Sequence, residues 1–146
     1  MTSESSPDPP APPERSKFVP TVQAILVCDA ATADASQKKS LIGIFDQLGA
    51  PGFPTQRSVS LYVRLGSAFG RYEFSFRLVN AATWENATEI KATAEVAERN
   101  SRIDFLLPQV PVVFPTAGSY EFQVWANDAY LGCATIDAIQ MDEKPS

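Results

Sequence analysis

Between Phe114 and Cys133 the chain reads FPTAGSYEFQVWANDAYLGC, and this stretch restricts the fold more than any other. Pro115 and Gly118 mark a turn, after which Tyr120, Phe122, Val124 and Ala126 alternate with Ser119, Glu121, Gln123 and Trp125. An apolar residue at every second position is the signature of a strand with one buried face. Asn127-Asp128 tolerate the positive φ of a tight hairpin turn, and a second strand is expected from Ala129 to about Gln140.

The same period recurs upstream. Val22–Asp29 is a continuous apolar run of strand length, and Ser40–Leu48 reads as its antiparallel partner. Ala50–Thr55, with two prolines and a glycine, is a turn or an edge crossing. Val59, Leu61, Val63 and Leu65 alternate with Ser60, Tyr62 and Arg64. Tyr72, Phe74, Phe76 and Leu78 alternate with Arg71, Glu73, Ser75 and Arg77. With Gly66 and Gly70 bounding GSAFG between them, these two runs are expected to form a hairpin. Trp84 falls in a loop over residues 80–87. Residues 88–99 have the Ala and Glu content of a helix, but Ile90, Ala92, Ala94 and Val96 keep strict alternation, and a strand is predicted. Pro108 and Pro111 break the following segment into two short edge or sheet-switching pieces.

The expected fold is therefore all-β, a two-sheet antiparallel β-sandwich of about eight strands with immunoglobulin-like or jelly-roll connectivity. The chain of 146 residues has room for one such domain, placed at residues 18–141. Residues 1–17 form a Pro- and Ser-rich tail, expected to be disordered, because the segment has too little apolar surface to offset its ordering entropy. Pro9-Pro10-Ala11-Pro12-Pro13 has the spacing of a proline-recognition ligand, although such tails more often serve as solvated spacers. Residues 142–146 are a polar end.

Composition excludes several function classes. The net charge is −5 and the 12 Lys and Arg are scattered, which argues against nucleic acid or an anionic membrane as partner. The N-terminal residues have neither the basic nor the apolar region of a secretory signal, and no apolar run reaches bilayer length. The chain has no histidine, so the commonest general base and zinc ligand are both missing. There is no GxSxG, no Ser-His or Cys-His arrangement and no phosphate loop. Asp29 and Asp46, read as ends of an antiparallel pair, should lie at opposite rims about 20 Å apart, too far for paired acid-base work. Asp29 and Asp34 share a loop without matching a calcium motif. No enzyme, cofactor or metal site is expected. Cys28 and Cys133 read as reduced core thiols, or else as a bridge between the first and last strands.

The blocks ILVCDA, SLIGIFDQL, SVSLYVRL, YEFSFRLV and FPTAGSYEFQVWANDAYLG resemble those of an uncharacterised bacterial family of small β-sandwich proteins, a domain of unknown function. The resemblance covers residues 22–136. The GxYxFxVxAN piece is in addition similar to strands of immunoglobulin-like domains. The family supplies no activity, cofactor or catalytic residue, and it implies a bacterial, cytoplasmic protein in which the Asn86-Ala87-Thr88 sequon has no role.

What remains is aromatic. Tyr62 and Trp125 fall on the outward phase of their strands, and Trp84 sits in a loop. Unless loops, the tail or a dimer mate cover them, they offer a recognition face. The first expectation is a non-enzymatic module for protein–protein interaction, assembly or self-association. The alternative is a small-ligand or carbohydrate-binding sandwich using the same aromatics. A flat apolar patch would favour a protein partner, and a concave aromatic groove with convergent polar groups would favour a ligand.

Overall fold

The structure is a computed structural model, and it describes residues 14–141. The expected disorder of the tail, its proline-recognition run and the polar C-terminal end lie outside the described residues, apart from Glu14–Lys17. Seven strands and no helix are present among the described residues: β1 Thr21–Ala33, β2 Lys39–Ile44, β3 Gln47–Ala50, β4 Thr55–Asn80, β5 Asn86–Phe114, β6 Gly118–Ala126 and β7 Ala129–Gln140.

The principal departure from expectation is at GSAFG. The two runs on either side do not turn back on each other; they form one 26-residue strand, β4. Ser67 and Gly70 take φ values of 55° and 104°, and the β4–β5 register shifts on either side of Ala68. Extra residues of this kind bulge and bend a strand instead of reversing it. They also change its phase. Before the bulges the buried residues are Val59, Leu61, Val63 and Leu65; after them they are Ala68, Tyr72, Phe74, Phe76 and Leu78. Residues 88–99 are strand, as the alternation indicated, and they continue without a break into the segment holding Pro108 and Pro111. Pro111 pairs with Ser58 at the edge of the sheet, where a missing N–H is tolerated.

Hydrogen bonding joins the strands in the order β2-β1-β4-β6-β7-β3, with β5 added to β4 off that path. The pairing gives one sheet where two were expected, because β4 runs through its bend unbroken and belongs to both halves. Its first half lies between β1 and the end of β5, and its second between β6 and the start of β5. The run Ser40–Leu48 is also divided. β2 pairs antiparallel with β1, whereas β3 crosses to pair parallel with β7. Phe45-Asp46 makes the crossing: the Phe45 N–H donates to Val27 O at 3.0 Å, and Asp46 O accepts from the Asp137 N–H at 2.8 Å. The two end strands of the path are thus two residues apart in the chain, and the sheet curls around a single core.

That core contains both halves of β4 with Val112, Phe114, Tyr120, Phe122, Val124 and Ile136. β7 also packs on β1, to which it is not paired; a Cβ on Gly132 would lie 3.3 Å from Val22 Cγ2. The bend is held by a strap, residues 14–20. The Ser16 N–H donates to Arg71 O at 2.8 Å, and Arg15 is ion-paired with Glu73 and, at 2.8 Å, with Asp128.

Candidate functional site

β6 pairs with the second half of β4 so that Ser75 faces Trp125, Arg77 faces Gln123 and Val79 faces Glu121. Alternation sends these side chains to the side of the sheet away from Phe74, Phe76 and Phe122. On β7 the register slips between Gly132, opposite Val124, and Tyr130, opposite Trp125, leaving Leu131 as an extra residue. The slip puts Tyr130 on the same outward face as Trp125. The turn from β4 to β5 carries Trp84 at φ 62°, closed by its N–H donating to Asn80 O at 2.8 Å.

These elements enclose a groove of about 490 Å³ lined by Arg77, Val79, Trp84, Asn86, Glu121, Gln123, Trp125 and Tyr130. Its size falls within the ordinary range of ligand sites. The groove brings Trp84 and Trp125 together. Tyr62 lies elsewhere, on the first half of β4 between Leu26 and Leu106, with its hydroxyl donating to Asp104 at 3.3 Å. Arg77, Val79, Asn86, Glu121, Gln123 and Tyr130 are the lining residues not anticipated from sequence. Finding them requires the β4–β6 register and the β7 bulge, neither of which has a local signal.

The floor of the groove is rigidly held. The Trp125 indole N–H donates to Gln123 Oε1 at 3.0 Å, and the Gln123 amide donates to Glu121 Oε1 at 3.0 Å. Gln123 is 6% exposed despite its outward phase, so this chain of hydrogen bonds is largely shielded from water. The Arg77 guanidinium carbon sits 4.4 Å from the Trp125 ring centre, a cation–π arrangement. Arg77 Nε donates to Ser75 Oγ at 3.0 Å, and that hydroxyl donates to Glu89 at 3.0 Å. Tyr130 meets Trp125 edge-on, with ring centres 5.4 Å apart. Its phenol is pushed up to about 12, first by a hydrogen bond with Cys133, then by burial and by the charges of Cys133 and Glu121. It therefore stays a neutral hydroxyl across the physiological range. Trp84 is 65% exposed and forms a free wall.

The carboxylates stand differently from expectation. Cys28 pairs with Ile44 and Ala30 with Ile42, which puts Asp29 opposite Gly43. Asp46 follows Phe45, itself bonded to Val27, so Asp29 and Asp46 are offset by two or three positions, about 7–10 Å along the strand. The expected 20 Å separation is wrong, because β2 pairs with the far end of β1. Asp34 accepts hydrogen bonds from the Ser36 N–H at 2.9 Å, the Ser36 hydroxyl at 2.7 Å and the Lys38 N–H at 2.9 Å. These bonds hold its carboxyl below the usual range, the Ser36 hydroxyl contributing most. Asp34 organises the β1–β2 turn. Among the described residues no group of three or more Cys, Asp or Glu side chains is placed to hold a metal ion. Cys28 and Cys133 are both free thiols, Cys28 buried and Cys133 half-buried. Burial pushes the Cys28 thiol up, the opposite of what a nucleophile needs.

Fold and groove together define a small all-β domain with an aromatic recess on the outer face of its sheet. The chain belongs to a family of unknown function, DUF6941, whose model matches residues 23–138. The resemblance noted from the sequence blocks is thereby shown at the level of an uncharacterised domain family. No curated protein matches the chain.

Proposed function

We propose that the domain is a non-enzymatic binding module whose site is the Trp84–Trp125–Tyr130 groove, and that the ligand is a carbohydrate. One observation carries the reading: two indoles and a phenol share a concavity with Arg77, Asn86, Glu121 and Gln123. Aromatic rings present apolar faces to the C–H face of a sugar ring, while amide, guanidinium and carboxylate groups match its hydroxyls in orientation-specific hydrogen bonds. A concave aromatic recess with convergent polar groups favours a ligand over a flat protein partner. The pre-bonded Trp125–Gln123–Glu121 chain reduces the ordering cost of binding.

The proposal includes a two-layer, sandwich-like working architecture in which the halves of β4 supply opposite walls of the core; the shared buried cluster supports it. It also includes the bacterial, cytoplasmic setting implied by the family resemblance, with which two unpaired thiols agree.

Trp84 and Trp125 are the chain's two tryptophans, so a ligand entering the groove must alter the protein's tryptophan emission. Titration with soluble cello-, xylo- and chito-oligosaccharides, preceded by a glycan-array screen, tests the reading. A saturable emission change is expected, weakened at least about tenfold by Trp84→Ala. Failure of every glycan to bind would remove the carbohydrate assignment.

A further inference from the structure

β5 is the longest strand, and it pairs with β4 alone, so among the described residues no strand occupies its other edge. Natural edge strands are commonly protected by prolines, bulges or short length. The second half of β5 has such devices in Pro108, Pro111 and Gln109, the last at φ 51°. In the first half the irregularities fall only at the two ends, and the remaining edge device is charge, from Glu89, Lys91 and Glu95, which repels a mismatched strand but not a complementary one. From Thr88 to Val96 it pairs with β4 without a register shift and holds no proline or glycine.

We propose that this edge pairs antiparallel with the same edge of a second copy of the chain, centred on Thr93. The pattern of residues 89–97 is self-complementary about that position. Lys91 falls opposite Glu95 of the second copy, and Glu95 opposite its Lys91. On the other face Ile90 meets Val96 and Ala92 meets Ala94, four apolar residues that are half-buried in the single chain. Opposite charges directly across an antiparallel pair attract, and like charges repel. The neighbouring registers lack the Lys91–Glu95 match; centring on Ala94 sets Lys91 against Ala97 and Glu95 against Thr93, and its charge pair, Glu89 with Arg99, falls beyond the regularly paired stretch that ends at Val96. Centring on Ala92 opposes Glu89 to Glu95 twice; centring on Lys91 or Glu95 opposes that residue to itself. Shifts by one residue set outward charges against inward apolar residues. Lys91 is 81% exposed, and it reaches Glu89 at 3.9 Å. The contact is isologous and closes as a two-fold dimer, so it uses up the edge and does not propagate a fibre.

The pairing has a consequence for the groove, although it does not depend on it. Residues opposite each other in an antiparallel pair share a face, and Glu89 and Lys91 lie on the face of Arg77 and Ser75. The two grooves of the dimer therefore open on the same side of one continuous sheet, an arrangement suited to a multivalent ligand.

The test is sedimentation of the full chain and its charge variants over a micromolar-to-millimolar series, with circular dichroism to verify the fold. The wild-type protein should approach twice the 15.9 kDa monomer mass. Lys91→Glu and Glu95→Lys alone should each weaken association at least about tenfold by opposing like charges, and the double variant should restore it. Thr93→Cys in a Cys133→Ser background should oxidise to a covalent dimer, whereas Thr88→Cys should not. A monomer at every concentration overturns the proposal. So does a dimer indifferent to both single charge reversals, or one cross-linked equally well at both positions.

Discussion

Tyr72→Phe should destabilise the domain out of proportion to the single atom removed. Tyr72 is 1% exposed, and its ring stacks on Phe74 with centres 5.4 Å apart, contacts that phenylalanine retains. The hydroxyl holds the strap to the bend. It accepts from the Phe69 N–H at 2.9 Å and from Ser16 Oγ at 3.2 Å, and it lies 2.8 Å from Phe18 O and 3.0 Å from Phe69 O, either of which can take its proton. Losing the donated bond costs about 1 kcal/mol, and leaving the part-buried Phe69 N–H without its acceptor costs about 1–3 kcal/mol. The expected total is about 2–4 kcal/mol, a fall in melting temperature of roughly 6–16 °C for a domain of this size. Urea unfolding should show a lower midpoint at an unchanged m-value, since no surface is newly exposed in the native state. Amide exchange supplies a second readout: the Ser16 N–H, bonded to Arg71 O, should exchange faster before global unfolding does. A loss below about 0.5 kcal/mol, with Ser16 still protected, would show that the hydroxyl network contributes nothing net and that the strap is held by its ion pairs.

Those ion pairs give a pH prediction. The Asp128 carboxyl is held below its ordinary value of 3.8, first by the hydrogen bond from Arg15 and then by that residue's charge. A depressed carboxylate stabilises the folded form above its ordinary value and loses that contribution as pH falls through the lower folded value. Protection of the Ser16 amide, taken relative to the intrinsic exchange rate at each pH, should fall in acid, and Asp128→Asn should abolish that acid step; an acid step that survives Asp128→Asn would refute the assignment. The thiols should also separate. Cys133 should react with a disulfide reagent in the native protein and Cys28 only after denaturation, because Cys28 is 0% exposed and its thiol is raised by burial. Two thiols reacting together at native pH, or neither reacting until a reductant is added, would contradict the structure.

Much of the fold was legible from side-chain period. The buried positions of β4 and β6, the β6–β7 turn at Asn127 and Asp128 and the strand at residues 88–99 follow from alternation and turn chemistry. What alternation does not encode is whether a glycine-flanked break reverses the chain or only bends it. GSAFG fits both, and the outcome is decided by tertiary partners: the strap at Gly70 and Gln23 beside Gly66, each lying where a Cβ would be. From that point the candidate site was partly hidden. Reading β4 as a hairpin gives residues 71–78 a wrong partner on one edge, and alternation does not supply the β4–β6 register, so Arg77 could not be set beside Trp125 and Tyr62 falls in a group whose face it does not share. Tyr130 was concealed by Leu131, since one extra residue reverses the phase of a strand and leaves no mark on composition.

The pairing of β3 with β7 bears on how the domain is made. Gln47–Ala50 lies parallel to Asp137–Gln140, so roughly 90 residues must be synthesised after the early segment before its partner exists. At cellular elongation rates that interval is about 5–20 s. During it β1 and β2 can pair, and the β4–β5 hairpin can form, but the Phe45-Asp46 crossing has nothing to close against. The domain is therefore a late folder on the ribosome. Its last native contact joins an early strand to a late one, and truncation within β7 should trap a nascent chain with the β3 end of the sheet open.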